Sequence, residues 1–580
     1  MIEKMTRYDF ILLSGETEAF LQKLQEVGVV DITRSFKPVD AESAALLSEA
    51  EELKKKIAWL EAGDYSQDET YSEISASIAA LVKEKALREP WGEFDKDAIT
   101  RLEAAGQKLH FHAVAKKKFD QAWAERYPLE VIRDENDKVW FVTVTPAGEA
   151  YDFPVPELAV PEGSAGDADE SIAALQKELA GREGELQKEA EGLPELHRQY
   201  RKILADFDFY LANVAKENAA EDMLTVFTGF APSENDALLE KEFESLDALC
   251  ISEKACVDDN PPIKLKNNKF VSMFEVLTDM YGRPAYNGFD PTPYISIFFL
   301  LFFAMCMGDA GYGIILVIVG LLLRKVKSFA SLAPLVVTLG VGTFVVGFFF
   351  HTFFSVDISQ WGFIQDAGLD KVMVPSQIAG YDGTMVLALI IGIIHLCLAM
   401  IVKTVEATKN QGFLNSLGTW GWTLLIVGGV IVGAIALCGV LDSAVTKWII
   451  IVLGIISAIG IFLLNDIHRN PLLNIGSGLW EAYNTATGVL GDVLSYLRLY
   501  ALGLAGGMLG QAFNSIASTT LGDGGFGWIP FILIVVIGHV LNIAMAALGA
   551  FVHPLRLNFL EFFKNSGYEG VGRNYNPLKK

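Results

Sequence analysis

Two arginines stand inside long apolar stretches, Arg498 in GDVLSYLRLYALGLAGG and Arg556 in GAFVHPLRLNFLEFF. A guanidinium cannot escape by losing its proton, because its pKa exceeds about 12. At the centre of a bilayer it costs at least about 2.5 kcal/mol, and far more when isolated. Asp492 precedes Arg498 by six residues, about 240° round a helix, and so points elsewhere. Glu481 lies 17 residues back, roughly 25 Å along the axis and out of reach. Arg498 therefore has no carboxylate on its own helix, which calls for one in another chain. For Arg556 a second reading stays open, a side chain snorkelling to the water interface, because charged residues resume at Glu561.

Polar residues share a face with each arginine. Asn484, Gly488, Gly491, Ser495 and Arg498 step by 4, 3, 4 and 3, and His539, Asn542, Ala546, Gly549, His553 and Arg556 step by 3, 4, 3, 4 and 3. Each series forms one stripe of a helix. Glu481, Asn484, Ser495, His539, Asn542 and His553 are thus candidates to line a polar path beside the two cations. Gly503/Gly507 and Gly506/Gly510 have the spacing that lets helices approach closely.

Such stripes need a membrane around them, and the charge distribution supplies the case for one. The chain has 580 residues, 51% of them hydrophobic, yet a net charge of −24. Residues 291–580 hold 14 Lys/Arg against 13 Asp/Glu, so 33 of the 47 basic and 58 of the 71 acidic residues remain in 1–290, a net of −25 against +1. That pattern predicts a soluble half, 1–290, followed by a polytopic membrane half, 291–580. Apolar runs of spanning length occur at 332–354, 384–402, 420–440 and 448–464, with longer ones at about 475–517 and 528–562. The run 294–323 is too long for one span and too short for two full ones, and Gly308-Asp-Ala-Gly-Tyr-Gly313 interrupts it. Arg324, Lys325 and Lys327 come after it and belong inside, which requires a hairpin of two short helices. Eight spans result, the last two long and tilted, with both termini cytoplasmic. Lys403, Lys409 and Arg469 then fall inside; the outer loops carry Lys371 and Lys447 against Asp357, Asp366, Asp370, Asp382 and Asp442.

In the soluble half, Leu46, Leu53, Ile57 and Leu60, then Ile172 through Tyr210, repeat at steps of 3, 4 or 7. The pattern predicts an antiparallel coiled coil over about 41–90 and 168–215, bent at Pro194. Strand-like runs at 108–114, 139–144 and 224–230 predict small α/β lobes beside it. The fold class is mostly α. His110 and His112 share a strand face, but no further ligand is near, so they read as ordinary strand histidines. No G-x-x-x-x-G-K-[ST] string occurs, and the five cysteines form neither a zinc pattern nor a disulfide framework. The acidic half leaves no footprint for nucleic acid. The N-terminus has neither a long apolar core nor a small-residue cleavage site, so it does not read as a secretory signal.

Taken together, Ser495-Tyr-Leu-Arg-Leu, His553-Pro-Leu-Arg-Leu, Asp290-Pro-Thr-Pro, Gly308-Asp-Ala-Gly-Tyr-Gly and Pro261-Pro-Ile-Lys-Leu-Lys-Asn resemble the membrane stator subunit, called a or I, of V-type and A/V-type rotary ATPases. The length and short loops look like the prokaryotic form, and Thr228-Gly-Phe-Ala-Pro232 like a looser version of a soluble-lobe signature. The resemblance implies a non-catalytic, multi-pass subunit of a prokaryotic plasma membrane. Arg498 and Arg556 would face the ion-binding carboxylates of a rotor proteolipid ring of c/K-type subunits, between two half-channels. The acidic half would receive E/G-type peripheral stalks, with a C/d-type collar on the central rotor. No cofactor is implied in this chain, and the translocated ion is H⁺ or Na⁺. Two positions depart from the family's pattern: Gly506 stands where some relatives carry a histidine, and Asn484 where some carry an acid, for which Glu481 is a stand-in. The competing classes are a secondary ion transporter, which would show repeated halves, and a membrane-anchored coiled-coil scaffold, which would need no buried arginines.

Overall fold

The computed structural model describes every residue other than 36, 93–95, 121, 127, 136, 148–150, 160–164, 220, 222, 245–247, 327–328, 360, 362–364, 367–372, 376, 379, 440–441, 465–470, 523–526 and 580. Lys327, Asp370, Lys371 and Arg469, which bear on the orientation of the spans, lie outside the described residues. The principal helices are α1 (Thr17–Val27), α2 (Ala41–Ala62), α3 (Glu69–Arg88), α4 (Ala165–Glu191), α5 (Leu193–Val214), α6 (Thr292–Met307), α7 (Ala310–Leu323), α8 (Ala333–Phe349), α9 (Gly383–Gln411), α10 (Leu417–Leu437), α11 (Ser443–Phe462), α12 (Pro471–Ser495), α13 (Leu497–Thr519) and α14 (Trp528–Arg556). The principal strands are β1 (Met5–Leu13), β2 (Asp31–Ile32), β3 (Gln107–Ala115), β4 (Leu129–Glu135), β5 (Lys138–Pro146), β6 (Glu217–Ala219), β7 (Leu224–Pro232) and β8 (Leu249–Lys254). Contacts divide the chain into two compact units, one of Met1–Glu16, Val29–Thr33 and Glu217–Pro577, the other of Thr17–Gly28, Arg34–Lys216 and Leu578–Lys580.

In the smaller unit, α2 packs on α5 and α3 on α4. Polar pairs fix an antiparallel register: Tyr210 to Asp40 at 2.7 Å, Lys56 to Glu189 at 2.7 Å, His197 to Glu61 at 3.1 Å, Arg182 to Asp68 at 2.8 Å and Lys85 to Asp169 at 2.6 Å. Asp40 and Ser43 form a capping box that starts α2, and Gly63 in the left-handed conformation ends it. The segment expected to bend at Pro194 is instead two helices. Gly192 leaves the helical conformation, and Pro194 falls in the first turn of α5, where its missing N–H is not needed. Strands β3, β5 and β4 form an antiparallel sheet in that order. His110 there contacts Glu157 and Thr145, both at 2.9 Å, and His112 contacts Tyr151 at 2.5 Å, so both rings serve internal hydrogen bonds.

In the larger unit an antiparallel sheet runs β2-β7-β1-β8, with β6 beside β7. In β1 the residues Thr6, Tyr8, Phe10 and Leu12 are buried in alternation, on the face that carries Phe227 and Phe243. The rest of this unit is mostly helical. Among the described residues five helices are long and apolar enough to cross a membrane: Gly383–Gln411, Leu414–Leu437, Ser443–Phe462, Leu473–Thr519 and Trp528–Ser566. Helices α6, α7 and α8 are apolar but have 16, 14 and 17 residues, about 21 to 26 Å against a hydrocarbon core of about 30 Å. The break between α6 and α7 falls at Gly308, which is left-handed, and Asp309, which caps α7. Leu300 lies against Gly342 and Gly308 near Phe350, while Gly320 lies against Val337 and Gly347 against Ala310. Thus α6 runs with α8 and α7 against it. The run 332–354 is not helical throughout: α8 stops at Phe349, and positive φ at His351, Phe354 and Ser355 folds the chain beyond it into a turn.

Candidate functional site

Between α12 and α13 the helix tightens without ending. Tyr496 N–H donates to Val493 O at 3.2 Å and Leu499 N–H to Tyr496 O at 3.1 Å, the three-residue spacing of a 3₁₀ turn. Tyr496 is fully buried, its ring filling the place where Gly392 of α9 has no side chain, and its hydroxyl lies 3.0 Å from His395 Nδ1. This anchor puts Arg498 in the first turn of α13, where the helix dipole does nothing to offset a positive charge. Arg498 is half-buried, and its Nη1 is shielded from solvent with no hydrogen-bond partner. Among the described residues it makes no ion pair. His553 and Cys306 lie within its electrostatic reach, and His553 Nδ1 is likewise buried and unmatched.

Arg556 ends α14 and is exposed, without an ion pair among the described residues. A π-helical turn, Leu557–Phe562, comes directly after it. That turn carries a residue that helical periodicity did not single out: Glu561 is only 4% exposed, and its Oε2 has no partner. Its carboxyl faces Ser495 and lies near Asp492. Ser495 also donates to Gly491 O at 3.0 Å. Asp492 accepts from Asn565 at 2.8 Å and has Lys564 Nζ at 3.6 Å, so it indeed turns away from Arg498. Glu481 and Asn484 line a cavity with Lys403, Thr423, Lys564 and Asn565.

His539 and Asn542 belong to a second cluster, with Tyr312 and Asn514. Asn542 Nδ2 donates to Tyr312 Oη at 2.8 Å and to Gly506 O at 2.9 Å. The imidazole of His539 lies 2.8 Å from the Tyr312 hydroxyl through Nδ1 and 3.0 Å from Asn514 Oδ1 through Nε2. Asn514 then donates to Phe354 O at 2.9 Å. Asp309 holds the adjoining turn: its carboxylate accepts from the backbone of Gly311 at 2.8 Å, Tyr312 at 3.3 Å, Phe354 at 2.9 Å and Ser355 at 2.6 Å. Gly510 lets Ser355 approach α13, where a side chain would collide with it.

The eight candidates are therefore not gathered in one place. Arg498, Arg556, His553 and Ser495 stand between the cavity of Glu481 and Asn484 and the knot of His539 and Asn542. From Arg498 it is 14 residues back to Asn484, about 21 Å, and 16 on to Asn514, about 24 Å. Tyr312 and Asn514 were not singled out, because their polar role appears only once α7 and α13 are packed on α14. Glu561 had one available signal, a carboxylate five residues after an arginine, where an i→i+5 turn brings it round further than an α-helix would.

Residues 166–333 match the V-type ATPase 116kDa subunit family. The A-type ATP synthase subunit I of Methanocaldococcus jannaschii is 30% identical over 459 residues, 71% of this chain and 64% of that protein. The A-type ATP synthase subunit I of Pyrococcus horikoshii is 32% identical over 338 residues, 55% of this chain and 48% of that protein. The chain thus spans about half to two thirds of the length of these archaeal relatives. The V-type ATP synthase subunit I 1 of Treponema pallidum is 26% identical over 644 residues, covering 100% of both chains.

Proposed function

The chain belongs to the family of the A-type and V-type ATP synthase subunits I, and on that premise we propose that it is the membrane stator of a rotary ATPase. Arg498, with Arg556, faces rotor carboxylates supplied by a ring of other chains. The observation that carries this reading is Arg498 itself, half-buried between two polar clusters with one guanidinium nitrogen unmatched. A carboxylate in lipid is costly unless paired, and Arg498 offers that pairing only at the stator face. It forces each passing carboxylate to release its ion, and its fixed charge blocks a leak straight across. Glu481 and Asn484 border one offset half-channel, and His539 and Asn542 border the other. An ion must ride the ring to pass from one to the other. Each charge moved through 100 mV is worth about 2.3 kcal/mol, which couples the ring to ATP chemistry on other subunits.

In this reading residues 291–580 form eight spans, with α6, α7 and α8 as the short ones, and both termini face the cytoplasm of a prokaryotic cell. Residues 1–290 lie in the cytoplasm, and the antiparallel packing of α2–α3 on α4–α5 supports a coiled-coil stalk that receives the peripheral stalks. The test is ion pumping by the whole complex in vesicles. Arg498→Ala abolishes ATP-driven pumping while the detached head still hydrolyses ATP; robust pumping by that variant overturns the mechanism. A requirement of ATP hydrolysis for Na⁺ identifies the ion as Na⁺, and its absence as H⁺.

A further inference from the structure

Where α9, α10 and α12 meet the segment after α14, a cavity of about 320 Å³ is walled by Lys403, Trp422, Thr423, Glu481, Lys564 and Asn565. Trp422 is 8% exposed, and its indole Nε1, which can only donate, has no acceptor. Such a buried donor without a partner is uncommon in folded proteins. Lys403 is exposed and forms no ion pair among the described residues. Lys564 reaches Asp492 only at 3.6 Å, longer than a hydrogen bond. Two ammonium groups and an unmatched N–H thus border one space.

The level of the cavity is legible in the sequence. Lys403 directly follows the apolar stretch 384–402 of α9, and Trp422 is the sixth residue of α10. Trp420, Trp480 and Tyr483 are exposed on α10 and α12. Lysine and exposed aromatic rings at the ends of apolar helices mark the headgroup zone of a bilayer. Basic pockets between spanning helices at that level suit anionic lipid headgroups.

We propose that this cavity binds a phosphate group, and that the phosphate is the headgroup diester of an anionic glycerophospholipid. Lys403 and Lys564 neutralise the phosphate, and Trp422 Nε1 donates to one of its oxygens. Glu481 decides between the two sources of phosphate. Its carboxylate repels free phosphate, which is partly dianionic at neutral pH, but accepts hydrogen bonds from the hydroxyls of a glycerol headgroup. A phosphatidylglycerol-like lipid meets both demands. Because Glu481 and Asn484 also border the cytoplasmic polar path, the bound lipid seals that path against the surrounding acyl chains. The site requires only that the chain lie in a membrane and is independent of Arg498.

The test uses the full-length chain in detergent, with phosphatidylglycerol, phosphatidylcholine or inorganic phosphate added, read by thermal unfolding and native mass spectrometry. Phosphatidylglycerol raises the unfolding midpoint by about 3 °C or more and stays bound as a single lipid, and the other two do neither. Lys403→Gln and Trp422→Phe each weaken its binding at least about fivefold, and Lys403→Arg retains it. Lys409→Gln, on the same helix but outside the cavity, leaves binding unchanged. Equal effects of phosphatidylcholine, or unchanged binding in Trp422→Phe, overturn the site. Inorganic phosphate matching the lipid overturns the headgroup assignment and leaves a soluble-anion site. Should Lys403→Gln fail to fold, Trp422→Phe decides alone, because it removes one hydrogen-bond donor and keeps the ring.

Discussion

Asn542, Tyr312, His539 and Asn514 hand hydrogen bonds from one to the next and end on a backbone carbonyl, while on the same helix pair Arg498, His553 and Glu561 bury polar atoms that nothing matches. Both regions place polar groups among apolar helices, and both are expensive to leave unpaired. In the first the expense is met within the chain, so the groups fix the packing of α7, α13 and α14. In the second it is not, and that difference is what the proposal of a partner outside the chain rests on. The two polar clusters are told apart by their unmatched atoms.

The most severe way to break this comparison is Arg498→Lys, which keeps the charge and discards the planar fork. Pumping is expected to fall about 100-fold or more in reconstituted vesicles, because a compact ammonium cannot hold a carboxylate by two parallel bonds. Wild-type pumping by the lysine variant would mean that charge alone suffices. The knot responds in stability instead. Asp309→Ala leaves four backbone N–H groups without their acceptor and is expected to cost about 2–4 kcal/mol, seen as a lower unfolding midpoint in detergent. An unchanged midpoint would show that the turn after α8 holds itself.

Glu561→Met sharpens the contrast, because the two readouts should move in opposite directions. An apolar side chain of similar length removes an unmatched buried oxygen, so stability rises by about 1 kcal/mol. Pumping should fall, since a group kept at the expense of stability is kept for its chemistry. A gain in both would make Glu561 an accident of packing. Tyr312→Phe is the milder counterpart within the knot. It strips the hydroxyl that links Asn542 to His539 and is expected to cost about 1–2 kcal/mol in the same melt.

What the sequence revealed of this contrast depended on how local each signal is. Arg498 and Arg556 are conspicuous because charge is rare in apolar runs, and the Gly308-Asp309 break because glycine and a capping carboxylate act on their immediate neighbours. Helical periodicity located α2, α4 and α5, the stretch expected over 41–90 breaks at Gly63 into α2 and α3, and apolar β-rich runs located β3, β5 and β7. Hydropathy could not tell that 350–354 is a turn, since phenylalanine is apolar in either conformation. The pairings that distinguish knot from arginine site are not local at all. Tyr312 meets His539 across 227 positions and His395 meets Tyr496 across 101. Glu561 is hidden differently, by a π-helical turn that a 3.6-residue period places on the wrong face.

Helices α2 to α5 offer the smallest and most controlled version of the same test, a charge whose partner is in plain view. Arg182 reaches across from α4 to Asp68 at 2.8 Å, and that guanidinium holds the Asp68 carboxyl below the usual carboxylate range, helped by the Tyr71 N–H that Asp68 caps. A lowered folded-state pKa gives stability that is present above the unfolded value, about 3.9 for aspartate, and is lost as pH falls through the folded value. Arg182→Ala should therefore lower the midpoint of this unit slightly at pH 7, by about 0.5–1 kcal/mol for a partly exposed pair. Wild type and variant should converge as the solution is acidified through the lowered folded-state value, once Asp68 is protonated in both. Convergence identifies the ion pair as the source of the difference. A gap that persists at low pH would assign it to packing of the arginine stem against α3, which no titration removes.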